Sequence, residues 1–162
     1  MAKQRKTKRS AAIIEAQPVS SDAAVTNGQT IDQVAMSKME LFTLELARHP
    51  TVDASDEVEH YILFKMKHAS HQDGRHVYFA DVGVSKQKGE SLGSSVVASY
   101  LLVFDTENKQ DVIGENALRK IGKLAVWPHF SATFRSLIAN TDLIFPPLPI
   151  EPPSMSVEEL GT

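Results

Sequence analysis

The stretch Val58-Glu59-His60-Tyr61-Ile62-Leu63-Phe64-Lys65-Met66-Lys67, followed three residues later by His71-Gln72-Asp73-Gly74 and then Arg75, decides the fold class. Val58, His60, Ile62, Phe64 and Met66 alternate with Glu59, Tyr61, Leu63, Lys65 and Lys67. A period of two sends successive side chains to opposite faces, so the segment predicts a long strand with one mostly apolar and one mixed face. Asp73-Gly74 supplies the positive φ that a tight turn needs and predicts a hairpin. The return strand runs from Arg75 to Ser85, with Tyr78, Ala80, Val82 and Val84 on one face.

Outward from the hairpin, period two continues on both sides. Phe42, Leu44 and Leu46 alternate with Thr43, Glu45 and Ala47, a half-buried strand that ends near His49-Pro50. Lys86 to Ser94 reads as a polar loop with two glycines. Ser95 to Phe104 is apolar on both faces, which places that strand in the sheet interior or under a helix. Four strands with short connections predict an antiparallel sheet.

Beyond Phe104 the period changes. Glu115 to Leu124 is compatible with helix, and Trp127-Pro128 predicts a break, because proline disfavours helix in the residue before it. Proline suits the first turn of a new helix. From there Phe130, Phe134, Leu137 and Ile138 trace one helix face, and Asn140 is a stop. Leu143-Ile144-Phe145-Pro146-Pro147-Leu148-Pro149-Ile150 is too proline-rich for helix, and its five apolar side chains need a surface to lie on. The predicted class is therefore α+β: a four-stranded antiparallel sheet, one main amphipathic helix and a Pro-rich extended segment.

All seven Phe, the three Tyr and the single Trp of the 162 residues lie between Phe42 and Phe145, so the core lies there too. Residues 1–30 have no aromatic and carry Lys3, Arg5, Lys6, Lys8 and Arg9; they read as a disordered basic tail. Residues 31–150 form the folded domain. Residues 151–162, with Glu151, Glu158 and Glu159 and no basic residue, read as an acidic tail with at most one helical turn at Ser156–Leu160. No internal repeat is visible.

The composition, 42% hydrophobic and 23% charged, is that of a soluble globular protein. Without cysteine there is no disulfide framework, thiolate metal site or cysteine nucleophile. No apolar run is long enough to span a bilayer, and Ala11 to Ile14 is too short for a secretory signal, so a cytoplasmic protein without membrane insertion is expected. The net charge of −3 combines a basic tail with an acidic body, and no nucleic-acid partner is expected of such a body.

Few motifs carry chemistry. Gly89 to Gly93 lacks phosphate-loop spacing, and no nucleophile elbow is present. His68, His71 and His76 flank Asp73 at the hairpin tip. They could bind zinc or nickel or serve as an acid–base group, but their spacing fits no strong metal motif, and surface histidines are the simpler account. Asp53, Asp56, Glu57 and Glu59 form an acidic run, either a solvated loop or a docking patch. No catalytic residue, metal or cofactor is assigned, and no enzyme activity is expected.

Val126-Trp127-Pro128-His129-Phe130, the helix through Ile138, and Phe145-Pro146-Pro147-Leu148-Pro149-Ile150 resemble the SecB-type chaperone family. There a short aromatic-Pro-aromatic sequence opens the main helix and a Pro-containing apolar segment follows it. The order upstream agrees: four strands, a loop with a weak helix, then the main helix. The resemblance spans about residues 31–150. It implies a homotetramer, a dimer of dimers, that binds unfolded proteins or preproteins without ATP. It also implies the SecA translocation ATPase as a partner, while some relatives serve antitoxins. On this reading Trp127, Phe130, Phe134, Leu137 and Ile138 hold the subunit interface, and Tyr61, Leu63, Leu143 and Phe145 line an apolar client groove.

Two departures stand out. The family's long helix after the Pro-rich segment, which supports contact with SecA, is reduced to Ser156–Leu160. The glycine- and aromatic-rich end of its fourth strand is replaced by Leu101-Leu102-Val103-Phe104-Asp105. A specialised client thus stands beside general export. Independently, the strands have more apolar faces than one helix covers, which fits a holdase or an adaptor docking one folded partner. A third alternative, an enzyme or ligand-binding domain, would be built on the histidine cluster.

Overall fold

The computed structural model describes residues 28–53 and 57–158. The basic tail lies outside them except for Gly28, Gln29 and Thr30, as do Asp56, Glu159 and Leu160. In chain order the elements are β1 (Thr30–Ile31), β2 (Met36–Ala47), the one-turn α1 (Pro50–Asp53), β3 (Glu59–Gln72), β4 (Arg75–Lys88) and β5 (Ser91–Asp105). They continue with β6 (Val112–Ile113), α2 (Glu115–Ile121), a π-helical turn (Gly122–Val126), α3 (Trp127–Ala139) and β7 (Ser156–Glu158).

The α+β class stands, but the main sheet has five strands rather than four, in the order β2-β5-β4-β3-β7. The pairings among β2, β5, β4 and β3 are antiparallel. β7 adds in parallel to Lys65–Lys67 of β3, where one helical turn was expected. Met155, buried just before it, anchors this last strand. A second, two-stranded sheet pairs β1 with β6 in parallel.

The hairpin forms as its turn residues require: Asp73 has φ 53° and Gly74 φ 81°, two successive left-handed positions. The supposed loop over 86–94 is mostly strand. Lys88 pairs with Ser91 across a tight turn in which Gly89 has φ 58°.

The β2–β5 ladder slips twice, at Ser37 and at Phe42, and the second slip breaks the expected alternation. Leu41 faces Tyr100 and Thr43 faces Ser99, so Phe42 is an extra residue, a bulge. An inserted residue reverses the phase of everything beyond it. Leu44 and Leu46 therefore lie opposite Ala98 and Val96 on the helix side. Phe42 packs instead against Phe79, ring centroids 5.4 Å apart with the planes tilted at 57°, on the other face.

The helix side holds the core: Phe64, Met66, Tyr78, Ala80, Val82, Val84, Val96, Tyr100, Leu102 and Phe104 pack with Leu118, Val126, Trp127, Phe130 and Phe134. Phe64 stacks on Trp127 at 6.1 Å, and the Tyr100 ring meets His129 edge-on at 5.3 Å. On the opposite face Phe79, Val97, Leu101 and Val103 keep partial exposure even though they lie on the two central strands.

Trp127-Pro128 does not break the helix. Residues 115–139 form one continuous helical rod. The Trp127 amide donates to Gly122 O, five residues back. A proline ring in a regular helix collides with the carbonyl four residues earlier; the wider π turn just before Pro128 relieves that collision.

Candidate functional site

The Pro-rich strip, residues 143–150, folds back along α3 without secondary structure of its own. Phe145 is its anchor. It meets Phe134 edge-on at 5.6 Å and His60 at 6.3 Å, and Lys86 Nζ lies 4.9 Å from its ring centre. Lys86 is itself buried and faces Asp53 at 3.8 Å. Asp53 Oδ1 accepts the Ser94 amide at 2.9 Å. Burial pulls the Asp53 carboxyl up, but the Ser94 hydroxyl and amide, Lys86 and His49 outweigh it and hold it below the ordinary aspartate value. Asp53 is thus a structural residue beneath the strip rather than part of an acidic docking run. Glu57, further along that run, pairs with Lys88 at 3.4 Å.

Between α3 and the strip lies an open cavity of about 600 Å³. Trp127, Phe134, Ile138, Phe145, Leu148 and the prolines form apolar walls, and Ser131 and Arg135 supply polar points. Arg135 Nε donates to Ser131 O at 3.1 Å. The buried Ser131 hydroxyl has no hydrogen-bond partner. Two apolar residues of the strip do not find the surface expected for them: Ile144 is 82% exposed and Ile150 98%.

The residues assigned to a client groove do not share one. Phe145 and the half-buried Leu143 belong to the strip on the helix side, against His60. Tyr61 and Leu63 alternate with His60 and Ile62 and stand half-exposed on the opposite face. Tyr61 hydrogen-bonds Glu59 there. Of the residues assigned to a subunit interface, Trp127, Phe130 and Phe134 bury in the protomer's own core, whereas Leu137 and Ile138 are only partly covered. A helical period locates an apolar face but says nothing of what covers it. Ser131, Arg135 and Lys86 were not singled out from the sequence. Ser131 gave a usable signal, a small polar residue between Phe130 and Phe134 on the apolar side of the helix.

The histidines are not all at the surface either. His71 is exposed, but His76 is buried. Among the described residues no three His or acidic groups converge to hold a metal ion, and no helix is long and apolar enough to cross a membrane.

No protein-family model matches the chain, and no curated protein matches it. Among solved structures the chain is similar to a SecB-like chaperone of Mycobacterium tuberculosis, in complex with a ChAD peptide from the HigA1 antitoxin. The two are 16% identical, over 71% of this chain and 87% of that one, with a TM-score of 0.49.

Proposed function

We propose that this protein is a SecB-like, ATP-independent holdase that binds unfolded or partly folded client chains, without catalysis or cofactor, as a cytoplasmic homotetramer. The observation that carries this reading is the groove between α3 and the Pro-rich strip: apolar walls, two polar points, and exposed Ile144 and Ile150 beside it. Apolar contact is non-directional and tolerates many sequences. The unpartnered Ser131 hydroxyl offers an extended client a hydrogen bond. Tyr61, Leu63 and Phe42 on the open sheet face supply a second apolar area for a long client. The groove protects clients; delivery to SecA would need a surface outside it.

The test is aggregation suppression. A slowly folding client is diluted from denaturant with and without the protein, in the absence of ATP. The wild type suppresses light scattering, and Ile138→Glu, at the groove wall, abolishes suppression while its circular-dichroism spectrum is unchanged. A well-folded wild type that suppresses nothing overturns the holdase and leaves the adaptor reading, to be pursued by pull-down of a folded partner.

A further inference from the structure

The histidine cluster plays no part in the groove. His76 is only 2% exposed and its Nε2 has no hydrogen-bond partner. Its ring stacks on His71, centroids 4.0 Å apart and planes within 8°, and His68 lies at 5.9 Å. The ring also hydrogen-bonds the Asp111 backbone. Asp111 is a junction: its carboxylate accepts the Gln29 amide at 3.0 Å and the Asn108 side-chain amide at 3.1 Å. Next to it Val112 N–H donates to Gln29 O at 2.9 Å and Gly114 N–H to Ile31 O at 2.8 Å. One imidazole therefore ties the hairpin to the β1–β6 ladder and to the start of α2.

A cavity of about 400 Å³ opens between these parts. Around it stand His68 and His71 from β3, Tyr78 from β4, Glu115 from α2 and Glu158 from β7, with the apolar Ile113, Leu118 and Val157. Glu115 is already paired with Arg119, whose other arm donates to Met155 O at 2.6 Å.

We propose that this cluster is an acid-sensitive latch: protonation of the buried His76, stacked on the exposed His71, opens the β1–β6 ladder and the start of α2, while the β3–β4–β5 sheet stays folded. A cation on His76 would be walled by Ile113 and Leu118 and would face a second imidazole 4.0 Å away. Burial with Nε2 unpaired and like charge at short range both disfavour it. Burial first, then His71 and His68, hold the His76 ring below the ordinary histidine value, against an upward pull from Asp111. The sign follows: the closed form binds fewer protons than the open one, so opening gains as pH falls below about 6.5. The latch does not depend on the chaperone reading.

Hydrogen–deuterium exchange on the full chain tests it at pH 7.5 and 5.5, corrected for intrinsic exchange. Protection over residues 28–31 and 111–118 falls severalfold from pH 7.5 to 5.5, while residues 79–102 keep theirs. His76→Phe, which cannot titrate, removes the difference. If that variant does not fold, the exposed-site His71→Gln serves, because it takes away the stacked charge and shrinks the fall. Equal protection at both pH values in the wild type, a parallel loss over residues 79–102, or an unchanged fall in His71→Gln overturns the latch.

Discussion

Phe134 shows how one side chain holds two layers. It is buried in the protomer, touches Phe130 at 5.8 Å and carries Phe145 at 5.6 Å. Phe134→Ala removes the ring from the core and the seat from the strip. The expected loss is about 3–5 kcal/mol in denaturant unfolding, together with new protease sensitivity around residues 143–150. An unchanged melting temperature would show that this helix face is not buried. The sequence placed Phe134 on the apolar face of the helix correctly, because i, i+4 spacing is a local property. It could not tell core from subunit interface, because that depends on how far the sheet beneath extends. Lys86 was illegible for a similar reason: its neighbours are polar, and only the long-range approach of Asp53 and Phe145 makes a buried lysine tolerable.

Among the elements, the Asp-Gly hairpin and the interior strand β5 could be read directly from turn chemistry and two-sided hydrophobicity. The β2 bulge, the unbroken helical rod and β7 could not. A bulge leaves no mark on a period count except that the two halves contradict each other. The rod survives Pro128 only through the π turn, and β7 exists through its tertiary docking. Gly122 is where these last two features meet: a Cβ there would come within 2.7 Å of Met155 Sδ and 3.0 Å of Phe64 Cζ. Gly122→Ala therefore costs about 1–3 kcal/mol of overpacking strain. Met155→Ala in the same chain makes room for the methyl, so the double variant loses less than the sum of the singles. Strictly additive losses would mean that Met155, the anchor of β7, does not press on the rod.

For the whole molecule, coverage of the sheet is uneven. Tyr100, Ala98 and Val96 are fully buried beneath the helix, yet their β2 partners Leu41, Leu44 and Leu46 remain about 40% exposed. The helical layer stops short of β2, and the outer backbone edge of β2 pairs with no described strand. An open edge beside an apolar strip is a site for another chain. On the proposed reading, light scattering gives the mass of a homotetramer, and Leu44→Lys lowers it while far-ultraviolet circular dichroism stays unchanged. A wild-type mass of a single chain would remove the assembly from the proposal.

The bulge at Phe42 has a bearing on which chain can join that edge. Two copies pairing antiparallel about a dyad bring their irregular residues to symmetric stations. A partner strand of regular pitch loses step at Phe42, and its ladder of hydrogen bonds stops there. The bulge thus interrupts the edge as a template: an arbitrary extended peptide cannot zip along its whole length into a growing fibre.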